Sequence, residues 1–328
     1  MTLGSGRSSH RGVATRAATT ACVLGLVLAS CERQEPSERK PERAATAATV
    51  VASDAAAPPA ILYLPDGGDR ALEGERPTSV APPASSGRCA PDMVDVGGSF
   101  CVDRYEASLV DVRLARPISP YFAPQSGAAR RALDAFLGSA PRSPAPELPR
   151  PPGWELLESF APKAESRASA VPNGYVSGLL ARTACENAGK RLCTRAEWVR
   201  ACRGERNRKF PYGDNYEPNA CNVYREAHPA QALWGNASTH HLDPRLNLVE
   251  GSAGPLLHKT GETSRCRSEW GPDSIFDMVG NIDEWVDEPG GAFLGGFYAR
   301  ATVNGCDAIV NEHPVEYFDY STGVRCCR

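Results

Sequence analysis

Nowhere in the 328 residues is there an apolar run long enough to cross a bilayer. The run Ala21-Cys22-Val23-Leu24-Gly25-Leu26-Val27-Leu28 falls well short of the roughly 20 residues a membrane-spanning helix needs, which argues against a retained transmembrane segment. A basic excess is missing too. With 36 Lys and Arg against 39 Asp and Glu the net charge is −3, so the electrostatic footprint of a nucleic-acid partner is absent. No Cys-x-x-Cys, Gly-x-Ser-x-Gly or His-Glu-x-x-His pattern occurs, which removes the usual signatures of a zinc module, a serine hydrolase and a zinc peptidase. Between residues 32 and 88 the aromatic residues are missing as well, Tyr63 excepted. That Ala-, Pro-, Ser-, Glu- and Arg-rich stretch cannot bury enough apolar surface to offset its ordering entropy, and it reads as a flexible tether that its prolines keep extended.

What precedes the tether is specific. Arg7, Arg11 and Arg16 stand in a segment free of acidic residues, the short apolar run follows, and Ala29-Ser30-Cys31 closes it. This is a charged n-region, an h-region and small residues before a cleavage point, so residues 1–30 are expected to be a signal peptide. Leu28-Ala29-Ser30-Cys31 resembles the bacterial lipobox, in which the cysteine sulfur carries a diacylglycerol and becomes the mature N-terminus. Cys31 is therefore expected to hold the chain to a membrane of the cell envelope, on the periplasmic side or at the surface. Ordinary cleavage that leaves Cys31 as a plain thiol is the alternative. Loss of the three arginines would take the mature net charge to about −6.

Twelve cysteines occur, and ten of them lie beyond residue 88. An even number in an exported chain points to a disulfide framework, with metal ligation as the weaker alternative. The part from residue 89 to 328 has the length of one larger domain. Residues 113–171 form a Pro-, Ala- and Ser-rich insertion expected to be ordered only in part, apart from a short helix over 130–137. Two further helices are legible. Ser177 caps one whose apolar positions Leu180, Ala184 and Ala188 recur at a spacing of four, with Gly189 as its stop. Thr194-Arg195-Ala196-Glu197 is a capping box that starts the other, with Trp198 and Ala201 on one face and Gly204 past its end. Short glycine-punctuated segments fill the remainder, an α+β pattern with much irregular structure.

Several short motifs follow one another in a fixed order. They are Met93-Val94-Asp95-Val96-Gly97-Gly98-Ser99-Phe100, Asp103-Arg104-Tyr105-Glu106, Gly189-Lys190-Arg191-Leu192-Cys193-Thr194, Phe210-Pro211-Tyr212-Gly213, Asp277-Met278-Val279-Gly280-Asn281-Ile282-Asp283-Glu284-Trp285, Gly295-Gly296 and Gly323-Val324-Arg325-Cys326. In this order they resemble the formylglycine-generating enzyme family, or sulfatase-modifying-factor domain, over nearly all of residues 89–328. The resemblance implies a disulfide-stapled α+β fold with a C-type-lectin-like core. Active members are copper-dependent oxidases that convert a cysteine of a protein substrate into an aldehyde. They need two cysteines shortly after the Gly-Gly, because paired thiolates suit Cu(I). Here Arg300 occupies the first of those positions and Gly305 the second, with Cys306 one residue beyond. A lone thiol cannot form the pair, and Arg300 would repel a cuprous ion, so copper is not expected.

The same resemblance implies the bridges Cys185–Cys326 and Cys202–Cys306. Proximity and chain order suggest Cys89–Cys101 and Cys221–Cys266, which leaves Cys193 with Cys327, although ten cysteines permit many other sets. It further implies a structural calcium held by Asp277, Gly280, Ile282 and Glu284, and a second one beginning at Asn222-Val223; a solvated acidic turn is the alternative. The iron site of some relatives needs three histidines from a separate helical domain that does not fit here. His228, His240, His241, His258 and His313 are accordingly expected to be ordinary surface residues. The resulting expectation is a lipid-anchored binding or scaffold module for a peptide, glycan or protein ligand. The alternative is an oxidase that modifies a protein cysteine.

Overall fold

Short strands in several small sheets and five helices make up the computed structural model, which describes residues 87–224 and 227–328. The chain divides into two units, residues 1–74 and 75–328, and every described residue belongs to the second. The signal segment, Cys31 and the tether up to residue 86 lie outside the described residues.

In chain order the first elements are β1 (Met93–Val96), β2 (Phe100–Asp103), β3 (Ala107–Asp111), α1 (Ala128–Phe136), α2 (Gly153–Leu157), β4 (Pro162–Ser166), α3 (Gly178–Asn187), β5 (Arg191–Leu192), α4 (Arg195–Arg203) and α5 (Pro229–Trp234). Then come β6 (Glu250–Gly251), β7 (Gly254–Pro255), β8 (Arg267–Trp270), β9 (Asp273–Phe276), β10 (Asp283–Val286), β11 (Ala292–Leu294), β12 (Ile309–Val310), β13 (Thr322–Val324) and β14 (Cys326–Cys327). One four-stranded sheet has the order β1-β2-β14-β5 and the other β12-β11-β10-β13; β3–β4, β6–β7 and β8–β9 are two-stranded antiparallel pairs. The C-terminal segment thus joins both larger sheets. Its parallel pairing with β10, Glu284 opposite Gly323, carries Arg325 to the neighbourhood of Glu284.

Local chemistry explains the two best-defined helices. Ser177 Oγ accepts from the Leu180 N–H at 3.3 Å and starts α3. The buried face of α3 is Ala181, Ala184 and Cys185; Leu180 and Ala188 of the expected stripe lie at its edge, and Ala188 is the cap rather than the last helical residue. At α4 both halves of the capping box form, and Trp198, Ala201 and Cys202 are buried. Arg191 grips Glu197 through both carboxylate oxygens at 2.7 Å, and that contact, with the Thr194 N–H, holds the Glu197 carboxyl down at about 2.

Residues 113–171 are more ordered than their composition suggests. They carry α1, α2 and β4; β4 pairs with β3 along its whole length, from Ala107 opposite Ser166 to Asp111 opposite Pro162. Phe122, Ala128 and Ala129 are buried. Glu155 of α2 accepts the Ser119 N–H at 2.7 Å, and burial pushes its carboxyl up to about 7. Long-range partners supply the ordering that local propensity does not.

All ten described cysteines are paired: Cys89–Cys101, Cys185–Cys326, Cys193–Cys327, Cys202–Cys306 and Cys221–Cys266, the same five pairs written from the sequence. Cys326 and Cys327 point to opposite faces of β14, as consecutive strand residues must. One reaches α3 and the other the segment between β5 and α4, across separations of 141 and 134 residues.

Candidate functional site

Gly295 and Gly296 follow β11 with φ of 91° and 76°, values that favour glycine. Added side chains would also collide. A Cβ on Gly295 would lie 2.8 Å from the Met278 carbonyl oxygen, and one on Gly296 would overlap Thr302 Oγ1. This double turn aims residues 297–306 past the start of β10.

There Arg300 Nη1 donates to Asp283 Oδ1 at 2.8 Å, with the guanidinium 5.0 Å from the Phe297 ring. Asp283 is fully buried; burial pushes its carboxyl up to about 7 while Arg300 pulls it back, and its Oδ2 has no hydrogen-bond partner. The position at which the motif resemblance implies the first cysteine therefore holds a cation bound to a buried carboxylate. The second is closed to side chains altogether, because Gly305 has φ of 58° and a Cβ there would overlap the Lys209 carbonyl oxygen. Cys306 is buried in its bridge to Cys202, and its N–H donates to that same Lys209 carbonyl at 2.9 Å.

Beside Arg300 lies a group of polar aromatics. Tyr317 OH donates to Asp319 Oδ2 at 2.6 Å, Ser321 donates to Asp319 Oδ1 from both its N–H and its hydroxyl, and His241 Nδ1 stands 3.9 Å from Asp319. Tyr320 OH and His228 Nε2 are 3.0 Å apart, and burial lowers the His228 pKa. The histidines lie at the surface as expected, His240 exposed and the other four half-buried, but several are packed on aromatic rings. His228 packs on Phe297 and Tyr320, His240 stacks on Trp234 at 4.0 Å, and His313 stacks on Tyr317 at 3.8 Å. Nothing in the local sequence signals these contacts, since each ring meets a partner from a distant segment or from across a turn.

The acidic turn expected to hold calcium is organised around Arg325 instead. Arg325 is fully buried; its Nε and Nη2 donate to the two oxygens of Glu284 at 2.7–3.0 Å. Its remaining donors reach the carbonyls of Asp103 and Phe276. Trp198 Nε1 adds a third donor to Glu284 at 2.6 Å. Asp277 accepts the Gly261 N–H at 2.6 Å, and burial, only partly countered by that bond, pushes its carboxyl up to about 7. Gly280 has φ of 83° and packs its Cα against the Asn222 carbonyl, while the Ile282 N–H donates to Glu106 at 3.1 Å. Glu284 thus offers its oxygens to a guanidinium and an indole, and that donor set does not fit a calcium ion. At the Asn222-Val223 step, Asn222 Nδ2 donates to Leu256 O and Asn281 Oδ1, and Asn222 Oδ1 is buried without a partner. Among the described residues, no three side chains of His, Cys, Asp and Glu converge as a metal site.

Similarity to known proteins agrees with the motif order. The family model described as the sulfatase-modifying factor enzyme 1-like domain matches residues 154–327. The uncharacterized protein YfmG of Bacillus subtilis (strain 168) is 28% identical over 103 residues, 30% of this chain and 19% of that protein, so the match spans about a fifth of the relative's length. Among solved structures, PvdO from Pseudomonas aeruginosa aligns over 70% of this chain and 80% of its own, with 15% identity and a TM-score of 0.33. CarF aligns over 70% and 86%, with 13% identity and a TM-score of 0.34. With its family model covering more than half the sequence, the chain belongs to the sulfatase-modifying factor enzyme 1-like domain family.

Proposed function

We propose that this family member is a binding module rather than a copper oxidase, with a C-type-lectin-like core, exported and anchored through a lipid on Cys31. In this reading residues 31–88 hold the domain away from the envelope membrane, and the domain starts near Cys89. The carrying observation is the state of the thiol positions. Arg300 is committed to Asp283, Gly305 has no room for a side chain, and Cys306 is spent in a bridge. No thiolate remains among the described residues to bind Cu(I), the soft ion that two thiolates select.

Calcium has one free oxygen in its support, Asn222 Oδ1, and any calcium role is proposed at Asn222-Val223 rather than at Glu284. It would be structural there.

Titration of the purified full-length protein with Cu(I), against a competing chelator, tests the reading together with aerobic incubation with a cysteine-containing peptide. We expect no stoichiometric copper and no aldehyde in the peptide. One copper per chain with turnover of the peptide thiol would establish the oxidase alternative.

A further inference from the structure

The insertion and the core line a half-open cavity that neither the family motifs nor Arg300 use. It measures about 450 Å³ and lies between α1 on one side and residues 240–242 with Phe318 on the other. Its size comes from α1, where Ala128, Ala132 and Ala135 present methyl groups at helical spacing, so the wall stays recessed. Phe122 lines it from a buried position, and Phe136 with His240 stands at one end, their rings 6.3 Å apart. His240 is itself held against Trp234 by stacking. The lining is apolar and aromatic, as small-molecule sites are, with few polar groups to fix orientation.

Among those few is Arg131, at the exposed edge. No carboxylate pairs with it among the described residues, although twelve other described arginines and lysines have ion-pair partners. Its guanidinium folds back toward Gly127, where α1 begins without a side-chain cap, so the positive end of that helix and the cation lie together at the edge of the cavity. The two histidines on the opposite wall add no negative charge; His241 is tied to the Ala237 carbonyl at 2.8 Å.

We propose that this cavity binds a small carboxylate with an aromatic body: the ring fills the space between α1 and His240, and the carboxylate meets the Arg131 guanidinium. A planar oxyanion matches that fork of donors. A glycan would leave most of its hydroxyls unpaired against these walls, and an amine would face an unshielded cation. This inference rests on the reading of the domain as a binding module and gives that module its ligand class.

Equilibrium dialysis of the full-length protein against indole-3-acetate, indole-3-acetamide and tryptamine tests it. The expected result is saturable binding of the acid, at least tenfold weaker retention of the amide, and none of the amine. Arg131→Met should weaken the acid at least tenfold and leave the amide unchanged, while Ala132→Phe should fill the space and abolish both. Failure of the acid to bind, or equal retention of acid and amide, overturns the proposal. So does binding of the acid undiminished in Arg131→Met. These outcomes are independent of copper: stoichiometric Cu(I) with peptide turnover would defeat the binding-module reading whatever the dialysis gives, and absence of acid binding without copper would defeat the cavity's role alone.

Discussion

Replacing Cys185 and Cys326 together by serine should leave the domain without a cooperative melting transition at 37 °C. The bridge joins residues 141 apart, but Cys193–Cys327 already ties the same two segments, so its loss opens a ring of only about ten residues, about 3 kcal/mol of unfolded-state restriction. Both sulfurs are fully buried among Trp285, Val324 and Ala184, so two hydroxyls would also be left in an apolar site. A domain has about 5–15 kcal/mol in total, and this change removes a large part of it. Cys89 and Cys101 provide the contrast. They span 12 residues, for which the same arithmetic gives about 3 kcal/mol, and they sit with Met93 in a small cluster of their own. Serine at both of those positions should lower the melting temperature while the transition survives. Circular dichroism melts of the two variants decide the matter; equal losses would show that burial among Trp285, Val324 and Ala184 does not govern the effect.

The second large effect is expected at Arg325. Three buried carboxylates, Glu284, Glu106 and Asp277, lie within its electrostatic reach. Glu106 is already raised well above its ordinary range, chiefly by burial and then by Asp277 and Glu284, with Arg325 acting against the shift. Arg325→Met would strand Glu284 as an uncompensated buried charge and leave the Asp103 and Phe276 carbonyls short of donors. Breaking a buried pair from one side costs about 3–5 kcal/mol. The loss should depend on pH with a definite sign. Without the guanidinium, Glu106 and Asp277, both already raised by burial and held back in part by Arg325, rise further, so the added penalty is absent in the ordinary carboxylate range and grows as pH rises through their folded values. Wild type and variant should therefore draw together near pH 4 and separate toward pH 8 in chemical denaturation. A constant difference across that range would mean that Arg325 matters by packing and not by charge.

These cases also show where the sequence is readable. The caps of α3 and α4 are local, with donor and acceptor three residues apart, and Ser177, Thr194 and Glu197 announce them directly. Arg300 and Gly305, at the positions where the resemblance implies thiols, are equally direct to read, because they need only a count from Gly295-Gly296. Other features depend on partners that no local pattern contains. β4 is ordered by β3 across an insertion whose composition suggests a loop, and Glu155 finds its donor at Ser119, 36 residues earlier. The acidic turn reads as a calcium loop because its residue types suit a hard cation. Its Glu284 is engaged by Arg325, 41 residues beyond it and brought there by the parallel pairing of β10 with β13. The cavity is hidden for the same reason, since its two walls are about a hundred residues apart in the chain.

The central claim is that this family fold has been kept while its thiol chemistry has been closed off. The direct test is site-resolved: denature the purified protein without reduction, alkylate, digest, and read each cysteine by mass spectrometry. The account predicts that none of the ten cysteines from Cys89 to Cys327 is alkylated, and that Cys306 is recovered on a peptide linked to that of Cys202. Alkylated Cys306 together with a second free thiol in the domain would contradict it.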